Sequence, residues 1–139
     1  MLSSPSTKRS LAVLAALVVA VALIAVIREY AHERAQLRMT AAAITHGDPS
    51  RGEAMFIQYG CGSCHALSGV RNATGSVGPS LDGIADRAII GGHLANTATN
   101  MEKWVRYPQQ VSPGTAMPDL NVGDEDARDI TAFLYTRAK

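Results

Sequence analysis

Cys61-Gly62-Ser63-Cys64-His65 holds both cysteines of this 139-residue chain and one of its four histidines. Two thiols at positions i and i+3 of a helical turn can form thioethers with the two vinyl groups of one porphyrin. A histidine that directly follows them can bind the iron from the same face. The motif therefore predicts one covalently bound haem c, attached through Cys61 and Cys64, with His65 as an iron ligand.

Other uses of two cysteines fit this stretch less well. A disulfide between them would close a very small loop and stabilise the fold little. A four-cysteine zinc site needs more cysteines than the chain has. A thioredoxin-like redox pair starts a helix that follows a strand in an α/β pattern, and the surrounding sequence predicts no such strands. A redox pair therefore remains as the alternative to haem attachment.

The second iron ligand must come from downstream, where His93, Met101 and Met117 are the candidates. Met117 lies in the turn-rich loop 113–118, where flanking prolines can hold a thioether against a metal. Met101 falls in a helix predicted over 97–107 and is expected to pack in the core. His93 follows two glycines and is expected on the surface. The sequence therefore favours Met117 as the second ligand.

The segment around these residues is predicted to be all-α. Asp48 is a suitable N-cap for a helix over 49–59, which has proline at its first position. A last helix is predicted from Asp124, where acidic residues favour the helix dipole, with Arg137 and Lys139 near its end. Four residues at helical spacing form its apolar face: Ala127, Ile130, Phe133 and Leu134.

An uninterrupted apolar run, Leu11 to Ile27, precedes this segment and contains no charged or polar side chain. As a helix of roughly 26 Å it nearly matches the hydrocarbon thickness of a bilayer. A cleaved secretory signal is the alternative, but the small-residue site Ala20-Val21-Ala22 lies inside the run. The sequence thus predicts a cytoplasmic N-terminus at 1–10, a single transmembrane anchor at 11–27, a helical stalk at 28–46 and a haem domain at 47–139.

The composition of the chain argues against nucleic-acid binding and favours a buried cofactor. A net charge of +1 provides no basic footprint for nucleic acid. Aromatic residues make up only 5% of the chain, and a small domain with few aromatics benefits from a buried cofactor in its core. Basic residues lie on both sides of the apolar run, so charge does not settle its orientation.

The segment after the stalk resembles the class I cytochrome c family. The matching pieces are Gly52 and Phe56, the CGSCH motif, Gly78-Pro79-Ser80-Leu81, Met117 and Ala132-Phe133-Leu134. The resemblance implies the cytochrome c fold, in which Gly52 and Phe133 meet where the first and last helices cross. It also implies that the Pro79 carbonyl accepts a hydrogen bond from His65 and that Leu81 packs on the haem.

A closer likeness is to the cytochrome c domain fused to subunit II of some haem–copper oxidases. It rests on 94–130, which contains Asn96-Thr97, Trp104, Arg106, Pro108-Gln109 and Pro113 to Pro118. The likeness implies that Trp104 and Arg87 reach the haem propionates. The chain departs from a complete subunit II because no cluster of cysteine and histidine precedes Cys61. It looks like that haem domain on its own anchor.

These features predict an electron-transfer protein rather than an enzyme, because a histidine–methionine iron leaves no position open for a small-molecule substrate. The resemblance places the haem domain on the periplasmic side of the inner membrane. A quinol-oxidising complex is the expected donor and a terminal oxidase the expected acceptor. A haem-based redox or gas sensor and a peroxidase-like enzyme are the alternatives, and both need an iron that binds external ligands.

Overall fold

The computed structural model describes residues 5–138 and divides into two units, one up to Gln36 and one from Leu37. Residues 1–4 of the predicted N-terminal segment and Lys139 lie outside the described residues. The helices are α1 (Pro5–Thr45), α2 (Pro49–Gln58), α3 (Ala98–Arg106), α4 (Pro108–Val111) and α5 (Asp124–Tyr135), with 3-10 turns at Cys61–Ser63 and Ile84–Asp86. Two antiparallel ladders join β1 (His65–Ala66) to β2 (Thr74–Ser76) and β3 (Ile89–Ile90) to β4 (Leu94–Ala95).

Helix α1 contains the predicted apolar run, and every side chain from Leu11 to Ile27 is exposed. By length and composition this helix could cross a membrane, although a secretory signal has the same properties. The helix ends at Thr45, where the next residue, His46, has a left-handed φ of 56°. The hydroxyl of Thr45 accepts the Gly47 N–H at 3.2 Å. The predicted break after the stalk is therefore confirmed.

Helix α2 begins as the sequence predicts. The Asp48 carboxylate accepts the Ser50 N–H at 2.7 Å and the Arg51 N–H at 3.4 Å, so it satisfies N–H groups that have no partner inside the helix. Pro49 occupies the first turn. The helix ends at Gln58, one residue before the predicted end, because Tyr59 forms the C-cap.

The first and last helices cross at Gly52, as expected. A Cβ atom at Gly52 would collide with the Asp129 carbonyl and lie 2.7 Å from Phe133 Cβ, so only glycine fits this approach. Beside the crossing, the Phe56 and Phe133 rings pack with their centroids 5.7 Å apart. The four predicted apolar residues of α5 are all buried. Helix α5 therefore packs on α2 through its apolar face.

A buried carboxylate, which the sequence did not reveal, joins the same two helices. Asp129 of α5 is 4% exposed, and its Oδ1 accepts the backbone N–H of Asp48 at 2.7 Å. The Arg51 guanidinium lies 2.7 Å from its Oδ2 and 2.6 Å from Glu125. Burial of a carboxylate is unfavourable unless it is paired, and Arg51 provides the counter-charge. Asp129 therefore fixes the start of α2 against α5.

Arg137 lies near the end of the last helix, as predicted, but two residues beyond its last turn. The helix ends at Tyr135, and its last turn contains no basic residue. The Arg137 guanidinium instead lies over the Phe133 ring, 4.6 Å from its centroid, and donates to the Ser68 carbonyl at 3.4 Å. A ring face and a carbonyl acceptor hold this cation just beyond the end of the helix.

The third helix and the ladders differ slightly from the predictions. Helix α3 covers Ala98–Arg106 rather than 97–107, because the Thr97 hydroxyl caps it by accepting the Asn100 N–H at 3.2 Å. The strands are two or three residues long, too short for an alternating pattern to show in the sequence. The all-α prediction holds, because the ladders only brace loops between helices.

Replacement of Gly52 by alanine is expected to lower the free energy of unfolding by about 3 kcal/mol, since a methyl group forces α2 away from α5. Urea unfolding followed by far-ultraviolet circular dichroism measures the change. Gly123→Ala is the matched control, because a Cβ there meets only a side-chain oxygen at 4.0 Å, and loss of a glycine N-cap costs below about 1 kcal/mol. Equal losses in the two variants would contradict the close crossing.

Candidate haem-binding site

A cavity of about 550 Å³ lies in the unit that begins at Leu37. This volume is within the usual range for cofactor and ligand sites, and apolar side chains dominate its walls. The structure brings all eight predicted site residues to this one cavity: Cys61, Cys64, His65, Pro79, Leu81, Arg87, Trp104 and Met117. Residues far apart in the sequence thus meet around a single apolar space.

The two cysteines reach the cavity because α2 ends just before them. Gly60, with a φ of 70°, turns the chain into a 3-10 turn closed by a 3.2 Å hydrogen bond from Cys64 N–H to the Cys61 carbonyl. Burial raises the pKa of the Cys61 thiol to about 11. A redox-active CxxC pair requires a thiol with a lowered pKa, at the start of a helix. The pKa of Cys61 is raised instead, which disfavours the thioredoxin-like alternative.

His65 is held in one tautomer. Its Nδ1 is 2.8 Å from the Pro79 carbonyl oxygen, which only accepts hydrogen bonds, so Nδ1 carries the proton and donates. Nε2 of the neutral ring is then left with a lone pair for a metal. Gly78 packs against the same ring: a Cβ there would lie 2.6 Å from Nδ1 and even closer to Cε1. The imidazole is therefore fixed by a hydrogen bond and by close packing.

The three candidates for a second iron ligand, Met117, Met101 and His93, differ in their position relative to the cavity. Met117 lies in the irregular segment between α4 and α5 and lines the cavity. Met101 also lines the cavity, but it is a buried residue of α3 that packs in the core, as predicted. His93 is exposed and does not line the cavity, and its Nε2 lies 3.2 Å from the Ser112 hydroxyl.

Arg87 and Trp104 both line the cavity and are held by contacts with the backbone. The Arg87 guanidinium donates to the carbonyls of Ser80 and, at 3.2 Å, of Asp82. The Trp104 ring packs so closely on Gly91 that a Cβ there would lie 2.7 Å from it. Asn96 donates to the Arg87 carbonyl at 2.8 Å and thereby ties this segment in place. The polar part of the cavity is thus built on a fixed backbone.

The donor set and the walls fit a covalently bound haem. Two free thiols lie one turn apart, an imidazole presents an unprotonated nitrogen, and a thioether borders the same apolar space. Sequence analysis did not assign the other apolar wall residues to the site, because only the folded chain brings them together. Among these are Tyr59, Ile84, Ile89, Ile90, Val105, Leu120, Val122, Ile130 and Leu134.

Residues 49–138 match the family model for cytochrome c, which covers well over half of the chain. The chain belongs to the cytochrome c family. Membership implies a covalently bound haem c and a role in electron transfer, in agreement with the cavity. No solved structure gave a significant match to the chain.

The relatives of this cytochrome c fall into two kinds. Cytochrome c oxidase subunit 2 of Alkalihalophilus pseudofirmus is 33% identical over 61% of this chain and 24% of its own length. The subunit of the same name from Bacillus sp. (strain PS3) is 36% identical over 67% and 27%. Cytochrome c2 of Rhodomicrobium vannielii is 34% identical over 74% of this chain and 90% of its own length. The chain therefore spans about a quarter of the oxidase subunits and nearly all of the smaller cytochrome.

Replacement of Gly78 by alanine is expected to reduce the haem content per chain, because the added methyl group pushes the His65 imidazole from its position. The ratio of reduced α-band absorbance to protein concentration measures this content in protein from cells that mature c-type haem. Gly123→Ala provides the control, since it adds the same methyl group where the nearest heavy atom is a carboxylate oxygen of Asp126 at 4.0 Å. A haem content like that of the control would show that the contact with Gly78 is not needed.

Proposed function

We propose that this chain is a membrane-anchored cytochrome c with one haem, which carries single electrons in a respiratory chain. The observation that carries the proposal is the meeting of Cys61, Cys64, His65 and Met117 at one apolar cavity. Cys61 and Cys64 would attach the haem, and His65 and Met117 would be its axial ligands. The one pair of cysteines within residues 5–138 lines this cavity, which supports a single haem.

Two axial protein ligands favour electron transfer over substrate chemistry. A bound haem supplies a one-electron couple, and a thioether ligand raises the reduction potential. The Pro79 carbonyl makes His65 a more basic ligand by accepting a hydrogen bond from its Nδ1–H, and the apolar walls limit access of water. Arg87 and Trp104 are proposed to lie near the propionates. These features suit a protein that exchanges electrons with other proteins.

The relatives support the proposal that this protein exchanges electrons with, or belongs to, a terminal oxidase. Two of them are cytochrome c oxidase subunits, and the match covers about a quarter of each. We infer that the present domain either delivers electrons to such an oxidase or serves as a subunit within one. A quinol-oxidising complex is the proposed donor. The nearly balanced net charge of +1 does not favour a strongly steered partner.

The proposed location is the inner membrane, with the haem domain on the periplasmic side. Residues 11–27 would span the bilayer, 1–10 would remain in the cytoplasm, and 28–46 would form the stalk that leads to a haem domain at 47–139. The support is a long helix whose apolar side chains are exposed. An anchor keeps the carrier in the plane of its membrane partners, so that encounters occur by diffusion in two dimensions.

Optical spectra of the purified protein test the axial ligands. We expect a c-type reduced band, a ferric methionine–iron charge-transfer band that Met117→Ala removes, and no rapid change when carbon monoxide is added to the reduced protein. Met101→Leu, which alters the other methionine of the cavity, is the control and is expected to retain the band. A band that survives Met117→Ala, or rapid binding of carbon monoxide by the unaltered protein, would favour a sensor or enzyme.

Membrane washing tests the anchor. The full chain is expected to remain with the membranes after alkaline carbonate, because about 17 apolar residues lie in the bilayer. Mass spectrometry of the purified protein is expected to find the apolar segment 11–27 still attached. Release into the wash, together with a new N-terminus just after Ala22, would show that the segment is a cleaved signal.

A further inference from the structure

One side chain organises the loop that contains Met117. The Gln109 amide nitrogen donates to the Met117 carbonyl and to the Thr115 carbonyl, each at 2.7 Å. The amide oxygen of Gln109 accepts the Gly114 N–H at 3.3 Å. Its backbone N–H donates to the Asp119 carboxylate, also at 3.3 Å. Gln109 therefore bonds to the loop before Met117, after Met117 and at the backbone carbonyl of Met117.

The loop needs such support because it contains no regular structure of its own. It runs from Ser112 to Gly123, between α4 and α5, and its prolines Pro113 and Pro118 have no N–H to donate. The Gln109 amide uses both of its N–H groups and its oxygen on this one loop. Its removal would leave two carbonyls, including that of Met117, without these donors.

Gln110, the next residue, shows that the hydrogen bonds of Gln109 to the loop depend on its position and not on its being a glutamine. Gln110 lies on the same short helix, and its side chain is exposed and makes no hydrogen bond to any described residue. Gln109 is half-buried, and α4 begins at Pro108, which is almost fully buried and fixes the base of the helix in the core. The fixed base allows Gln109 to hold the loop at a constant distance from the cavity.

We infer that Gln109 is the positioning residue that keeps the Met117 thioether on the haem iron, a role that rests on the proposed ligation by Met117. Gln109 acts through the backbone of the loop and does not touch the iron. Its hydrogen bonds lower the conformational freedom of the loop, so that the sulfur rarely leaves the cavity. Loss of these bonds would raise the fraction of molecules in which Met117 is detached.

The test compares Gln109→Met with Gln110→Met in the full-length, haem-loaded protein. Gln109→Met keeps the length of the side chain and removes the amide, and Gln110→Met makes the same change where no bond exists. The urea midpoint of the ferric methionine–iron band and the rate of carbon monoxide binding to the reduced protein are measured. Far-ultraviolet circular dichroism reports global unfolding in the same samples.

In Gln109→Met the band is expected to disappear at lower urea, while the circular dichroism midpoint stays near that of Gln110→Met. Carbon monoxide binding is expected to be about 25-fold faster than in Gln110→Met, roughly fivefold for each of the two lost hydrogen bonds to carbonyls. Gln109→Glu retains the oxygen acceptor but has no N–H₂ group, and it is expected to behave like Gln109→Met. Gln109→Glu replaces Gln109→Met in the comparison if haem is not attached to Gln109→Met in the cells.

Two outcomes would overturn the inference. One is a band and a binding rate in the Gln109 variants equal to those of Gln110→Met. The other is a parallel fall of the band and the circular dichroism midpoint, which would assign Gln109 a general structural role. A failure of the underlying ligation is distinct from both, because the unaltered protein would then lack the methionine–iron band.

Discussion

Close packing of α2 against α5 at Gly52 is the constraint on which the rest of the haem-binding unit depends. The absence of a side chain at Gly52 lets the two backbones approach, and the Phe56 and Phe133 rings pack beside the crossing. Helix α2 leads within three residues to Cys61, while α5 contributes Ile130 and Leu134 to the cavity wall. The crossing therefore sets the distance between Cys61, which follows α2, and the part of the cavity wall that α5 provides.

The proposed ligands His65 and Met117 are oriented by backbone carbonyls and amide groups rather than by charges. The Pro79 carbonyl selects the tautomer of His65, and Gly78 leaves room for its ring. The Met117 loop is held by an amide side chain from a neighbouring helix. Such an arrangement is suited to electron transfer, because rigid ligands need little rearrangement when the iron changes its charge.

The features that the sequence predicted are those encoded by neighbouring residues. CGSCH, the Asp48 cap, the break after Thr45 and the apolar face of α5 all depend on short spacings, and the structure confirms the cap, the break and the face. The contacts of Asp129 with Asp48 and of Arg137 with Ser68 join distant segments, and no local sequence pattern predicts them. Gln109 was noticed only as part of a family likeness, since an amide at one position does not reveal which carbonyls it will meet.

The account depends most on Met117, and a nuclear magnetic resonance spectrum addresses it directly. The chain has five methionines, so methyl-labelled methionine gives few signals. In the reduced, diamagnetic protein the account predicts one methyl resonance shifted far upfield by the porphyrin ring current, and this resonance should be absent from Met117→Leu. An upfield resonance that persists in Met117→Leu, or a spectrum in which none is shifted, would contradict ligation of the haem iron by Met117.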